Sequence, residues 1–214
     1  MQLSTLPQPS RPIPLAGFEH IFRYNDPQQG KVMVKILPGE FYISNSSNEV
    51  VVTVLGSCIS VCVRDAKACI GGMNHFMLPG TPAQLSRSSS RAVTDNSYGV
   101  FAMENLITGI LKNGGSRQRL EIKVTGGGRI GSGSGTVGDS NIKFIQRFLA
   151  IEGLRPVVVD LGGSQPRKVQ YDALTGALRV KRLAPLHTSD VLAQEVQYRE
   201  AISKTPATGS IELF

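Results

Sequence analysis

Three observations predict an α+β fold for this 214-residue chain. Apolar stretches of strand length recur along it, and two pairs of them read as hairpins. Two further segments carry apolar residues at helical spacing. These strands and helices are interspersed without the regular βαβ alternation of a doubly wound sheet. Composition agrees: 41% hydrophobic and 18% charged residues support a core and argue against wholesale disorder.

Residues 1–17 hold four prolines and little periodicity, which predicts a flexible N-terminal tail. Short apolar stretches at Lys31 to Leu37 and Phe41 to Ile43 alternate with turns at Asp26-Pro27, Pro38-Gly39 and Asn45 to Asn48. Val50 to Leu55 is β-branched and uncharged, as in a buried strand. Cys58 to Val63 and Ile70 to Leu78 form the first hairpin across a polar turn. Residues 79–98, rich in Ser, Thr, Pro and Arg, read as a long loop of the kind that often carries function.

Val100, Met103, Leu106, Ile107, Ile110 and Leu111 then mark an amphipathic helix, stopped by Gly114-Gly115. Leu120 to Thr125 alternates as a strand. A Gly/Ser segment from Gly126 to Gly138 leads into a second helix, capped at Asp139 or Ser140, with Ile142, Ile145, Phe148 and Leu149 on one side. Pro156 to Asp160 is a strand, and Lys168 to Tyr171 with Ala177 to Arg182 make a second hairpin. A weakly periodic helix around Val191 to Ala201 lies in a C-terminal extension, 184–214.

No apolar run is long enough to span a membrane, and the Pro-rich start lacks the apolar centre of a secretory signal. Three cysteines, an odd and low count, argue against a disulfide framework and fit a reducing cytoplasm. The net charge of +7 favours an acidic partner. Seven bases between Lys112 and Arg147 read most simply as a solvated face. Aromatics are not interleaved with them and Trp is absent, so a stacking platform for single-stranded nucleic acid is poorly supported.

The chemistry concentrates in Gly56-Ser57-Cys58 and Asn74-His75. A four-residue loop from Asp65 to Ala68 would pair Arg64 with Cys69, Val61 with Gly72 and Cys58 with His75. Thiol and imidazole then share one face, with Cβ atoms about 4.5–5.5 Å apart. An imidazole at that range can hold the thiol proton and later protonate a leaving amine. A buried structural Cys and a core His are the plainer alternative. Cys58, Cys62, Cys69 and His75 also form a nominal zinc set. In an extended hairpin, however, Cys62 and Cys69 lie roughly 13 and 20 Å from Cys58, too far for one ion. Gly126 to Gly131 matches G-x-G-x-x-G but is followed by Ser132 to Gly135 rather than a helix start. A tight loop whose N–H groups approach a substrate fits it better. His20 and His187 read as surface residues.

At these residues the chain resembles the chemoreceptor glutamine deamidase family, CheD. The resemblance is carried by Leu37-Pro38-Gly39-Glu40-Phe41, Val51 to Cys58 and Gly71 to Pro79. It continues through Tyr98-Gly99 with Ala102-Met103, Gly126 to Gly128, Gly138 with Asn141, Asp160 to Gly163 and Arg167-Lys168-Val169. It covers roughly residues 18–183. It implies a cytoplasmic enzyme of bacterial chemotaxis that converts glutamines on chemoreceptor helices to glutamates. Some members also hydrolyse receptor methyl esters, and some bind a CheC-type phosphatase. The implied fold is a β-sandwich of mixed sheets flanked by helices, similar to the catalytic domain of cytotoxic necrotizing factor toxins. Carried over by position, Cys58 is the nucleophile, His75 the base and Thr53 the third element, with Ser57 the alternative. No metal or organic cofactor is implied. A non-catalytic adaptor, a nucleic-acid binder and another cysteine acyl hydrolase are the rival classes.

Overall fold

The structure, a computed structural model, describes residues 11–78, 89–130, 135–184 and 188–204. Its strands are β1 (Phe22–Asp26), β2 (Lys31–Lys35), β3 (Phe41–Ser44), β4 (Glu49–Leu55), β5 (Ile59–Asp65) and β6 (Ile70–Asn74). Helix α1 (Ser89–Lys112), β7 (Leu120–Gly126), α2 (Gly135–Ile151), β8 (Pro156–Leu161), β9 (Arg167–Tyr171), β10 (Leu178–Arg182) and α3 (Thr188–Lys204) follow. One sheet has the order β1-β2-β4-β9-β10 and the other β3-β6-β5-β7-β8. Each contains one parallel pair, β2 with β4 and β7 with β8, so both are mixed. The fold is an α+β sandwich, as the sequence predicts. Among the described residues, no helix is long and apolar enough to cross a membrane.

Side-chain alternation tells which face of each strand looks inward. In β4, Val51 and Leu55 join the main core, whereas Val50 and Val52 pack outside with Met33 and Tyr24. Thr53 lies between Val51 and Leu55 in the alternation and faces the opposite sheet. In the second sheet α1 covers the outer face: Asn74 Nδ2 donates to the Ala102 carbonyl at 3.1 Å, and Met103, Leu106 and Ile110 are fully buried. Met73 and His75, on the alternate positions, therefore face the first sheet. A fully buried Arg167 on β9 ties the layers together, its Nη1 donating to the Asp160 carbonyl at 2.7 Å and carboxylate at 2.9 Å.

The first hairpin closes one residue later on each strand than the spacing predicts. Asp65 pairs with Ile70, which leaves Ala66 to Cys69 as the loop, with Cys69 in left-handed backbone at φ 51°. Asp65 causes the change. Its Oδ1 accepts from the N–H groups of Lys67 (3.0 Å) and Ala68 (3.2 Å), so the loop winds on the Asp65 side chain. The Ile59–Phe76 bridge continues this register. Cys58 consequently falls opposite Met77, and His75 opposite Ser60. The predicted direct Cys58–His75 pairing is replaced by a diagonal one. Both strands shift together, so the alternation is kept and the two residues still share the inter-sheet face.

Three other expectations need correction. The loop predicted over 79–98 is helical from Ser89 onward, and its first part lies outside the described residues. Ser89 to Tyr98 contains neither Gly nor Pro, so the amphipathic turns after it propagate backward through polar but helix-compatible residues. Likewise α2 begins at Gly135, ahead of the predicted cap at Asp139 or Ser140. Strand β1 is not predicted by its polar sequence; pairing with β2 along its whole length forms it. Residues 1–10 of the predicted tail, His187 and residues 205–214 of the C-terminal extension lie outside the described residues. Four of the seven bases in the basic stretch are in ion pairs. Arg117 pairs with Glu152, Arg119 with Asp65, Lys123 with Glu121 and Arg129 with Asp139.

Candidate active site

Thr53 meets His75 across the gap between the sheets, its Oγ1 2.7 Å from Nδ1. The same hydroxyl donates to the Ile36 carbonyl at 2.9 Å. A hydroxyl carries one proton, so with that proton on Ile36 the imidazole must be the donor at Nδ1. Nε2 is then the bare, basic nitrogen. It is buried and has no hydrogen-bond partner among the described residues, and neither has the hydroxyl of Ser60 opposite it. The tautomer is thus assigned by the hydrogen-bond network.

The backbone of His75 is held by the turn from Leu37 to Glu40. His75 N–H donates to the Glu40 carbonyl at 2.9 Å, and Gly39 N–H donates to the His75 carbonyl at 2.7 Å. Pro38 followed by Gly39 at φ 89° is the arrangement of a type II turn, whose third position needs a positive φ. The bare backbone of Gly39 also makes room for α3. A Cβ there would collide with the hydroxyl of Tyr198 on α3.

Cys58 follows a backbone nest. The N–H groups of Gly56 (3.1 Å), Ser57 (2.8 Å) and Cys58 (3.1 Å) converge on one point, where the Glu195 Oε1 of α3 accepts all three. The Ser57 hydroxyl donates to the other carboxylate oxygen at 2.6 Å. The peptides are turned this way because their carbonyls are held behind. Asn141 Nδ2 donates to the Ser57 carbonyl at 2.9 Å, and Gly128 N–H donates to the Gly56 carbonyl at 2.8 Å. In a trans peptide the N–H points opposite to the C=O, so fixing the Ser57 carbonyl aims the Cys58 N–H into the nest. Gly127 N–H is likewise committed, to the Cys58 carbonyl at 2.7 Å. The Gly126 segment therefore supports the nest from behind. The expectation that its own N–H groups approach a substrate is not met, because those of Gly127 and Gly128 are already bonded.

Cys58 is fully buried and His75 is 2% exposed. Burial, with the Glu195 carboxylate next in order, pushes the Cys58 thiol well above its ordinary range. Burial holds His75 down to about 3. With α3 in place the pair is a thiol and a neutral imidazole. A cavity of about 370 Å³ reaches His75 and Thr53 from the side, walled by Ile36, Pro38, Lys168 and, on α3, Val191.

The buried imidazole has a consequence for stability. A base whose folded pKa is lowered refuses a proton that the unfolded chain takes up. Its penalty is absent above the ordinary value of 6.5 and grows as pH falls toward 3. From this group alone we expect a loss of about 2 kcal/mol between pH 7 and pH 5. Urea midpoints of the wild type and His75→Gln at the two pH values check it. The variant should lack this part of the acid loss, and parallel curves would refute the assignment.

The structure puts Thr53 on the His75 imidazole, and the strand register sets Cys58 on the same inter-sheet face, diagonal to His75, with no hydrogen bond between its thiol and Nε2. Ser57, the alternative third element, sits beside them but turns its hydroxyl to Glu195 rather than to the imidazole. Two site residues escape the sequence reading. Asn141 enters it only as part of a motif, and its role needs the α2 position. Glu195 has a visible signal: Val191, Glu195, Tyr198 and Ile202 follow helical spacing, and Glu195 breaks an otherwise hydrophobic stripe.

Known proteins resemble the chain along nearly its whole length. Residues 77–182 match the family model described as CheD chemotactic sensory transduction. A Hahella chejuensis protein named a probable chemoreceptor glutamine deamidase CheD is 42% identical over 210 residues, 97% of each chain. Proteins of the same name from Halorhodospira halophila (46% over 203 residues, 94% of this chain and 93% of that one) and Hydrogenovibrio crunogenus (44% over 190 residues, 88% and 97%) are also similar. With 97% of the chain covered, the Hahella match runs through α3.

Proposed function

Because this chain belongs to the CheD family, we propose that it hydrolyses glutamine side chains on chemoreceptor helices to glutamate, through a Cys58 thiolate and a glutamyl thioester. The observation that carries this reading is the Thr53–His75 hydrogen bond, which leaves Nε2 as a base on the face that Cys58 shares. Nε2 takes the thiol proton and the sulfur attacks the amide carbon. The developing oxyanion is held by the N–H groups of Gly56, Ser57 and Cys58, which are aligned before the reaction begins. The protonated His75 gives its proton to the departing nitrogen, and ammonia leaves. A water, deprotonated by Nε2, then cleaves the thioester and restores the thiol.

Each group is oriented from behind: the imidazole by Thr53 and the Leu37–Glu40 turn, the nest by Asn141 and Gly128. Such support fixes the imidazole and the nest before the reaction begins. The test is to incubate the protein, in excess, with a purified receptor signalling domain and to map mass shifts. The expected result is a gain of about 1 Da at particular glutamines, with ammonia released in equal amount. Receptor peptides unchanged in mass would overturn the reading.

A further inference from the structure

We propose that α3 occupies the track of the substrate helix, with Glu195 standing in the glutamine pocket as a built-in product. This rests on the deamidase reading above and goes further, because it says how the substrate is presented: as a glutamine on one face of an α-helix, laid over Gly39 and Gly56.

Chemistry at the contact supports the assignment. The product of glutamine hydrolysis is a glutamate side chain, and that is what lies on the Gly56, Ser57 and Cys58 N–H groups. The nucleophile's own N–H is among the three donors, so the bound oxygen sits where the oxygen of an attacked amide must sit. Mere attachment of a helix would not select this residue. Val191 and Ile202 on the same stripe are apolar, and a carboxylate is a costly way to fill a buried position unless its hydrogen bonds are met. Here they are met by four donors and by no cation among the described residues.

The track is also cut to the width of a helix. A Cβ on Gly56 would collide with Ile130 Cδ1 and lie 2.9 Å from Glu195 Oε1 and 3.0 Å from Val191 Cγ1. A Cβ on Gly39 would strike the Tyr198 hydroxyl. Bare backbone at both points lets α3 settle close enough for a glutamate side chain to reach the nest. The arrangement is self-limiting. While α3 is seated, the thiol is covered, and the carboxylate opposes its ionisation. A receptor helix competes for the same track, so its turnover is reduced by the fraction of molecules with α3 in place.

The full-length Glu195→Gln variant tests this directly. The substitution puts a carboxamide where the product now sits. Cys58 Sγ should bond to the carbonyl carbon of that carboxamide while its C–N bond breaks and ammonia departs with the His75 proton. Water then releases Glu195 and the thiol. Mass mapping should find glutamate at position 195 in this variant and glutamine in the Glu195→Gln/Cys58→Ala double variant, with a conversion rate independent of protein concentration. Glu195→Ala should deamidate receptor several-fold faster than the wild type. A carboxamide left intact at position 195, in a preparation that converts receptor glutamines, would overturn the inference and leave the deamidase reading standing, as would conversion that scales with concentration. Failure of the wild type and the variant on receptor glutamines, together with an intact carboxamide at position 195 in the variant, would remove both.

Discussion

Cys58→Ala is expected to abolish deamidation, with turnover down by on the order of 10⁴-fold or more. The change removes only a sulfur from a fully buried position. It leaves the backbone N–H of residue 58 and its two neighbours in the nest, and it leaves Thr53 on His75. Oxyanion stabilisation and positioning therefore survive while the covalent route is gone. The structural cost is small, about 1 kcal/mol for a cavity of one atom. Receptor capture by the variant should be retained, and this separates an enzyme from an adaptor that only binds. Ammonia release and the gain of about 1 Da on receptor peptides are the readouts. Turnover within a few-fold of wild type would remove the thiolate mechanism, whatever the binding data show.

The same experiment bears on the electrostatics of the covered state. Thiol raised and imidazole lowered means that proton transfer from Cys58 to His75 is unfavourable while α3 is seated. Two things oppose it, burial and the carboxylate of Glu195. Moving α3 away removes both at once: water gains access and the negative charge leaves. A glutamine side chain entering in its place brings the same shape without the charge. The nest can then hold an amide oxygen next to a thiol whose ionisation is no longer opposed by a carboxylate. On this view substrate and product are distinguished electrostatically, because the glutamate formed suppresses the thiolate that made it.

What is legible in the sequence follows from how local each signal is. Val50 to Leu55 is a strand because its β-branched run says so, and Leu120 to Thr125 because it alternates, both without reference to anything distant. The helix through Val100 to Leu111 is equally self-declaring, and only its polar N-terminal half is hidden. The Cys58–His75 face survives the register error because a two-residue change in pairing preserves alternation. The register itself depends on Asp65 capping two N–H groups of its own loop, a side-chain detail that apolar patterning does not carry. Glu195 is the extreme case. It lies 137 residues from Cys58, and its contact exists only because α3 folds back over the Gly56 turn. A polar residue on an apolar stripe is the trace it leaves in the sequence, and that trace names no partner.

The second large effect is expected at Thr53, where Thr53→Val should lower kcat by roughly 10²- to 10³-fold with little change in KM. Valine keeps the shape and the inward face of β4 but can neither accept the Nδ1 proton nor donate to the Ile36 carbonyl. Two buried polar groups lose a partner, at about 1–3 kcal/mol each. The chemical effect is separate from that loss. Without an acceptor at Nδ1 the imidazole proton is free to shift to Nε2, and a ring protonated at Nε2 cannot take the thiol proton. Thr53→Ser restores the hydroxyl and should return most of the activity even if it recovers little stability. A residue that only held the sheets together would show the opposite pattern, with activity following the folded fraction and recovering on cooling. Steady-state kinetics below the melting transition of each variant decide between them. A folded Thr53→Val protein with near-normal kcat would mean that the backbone bonds to Gly39 and Glu40 alone suffice to orient His75.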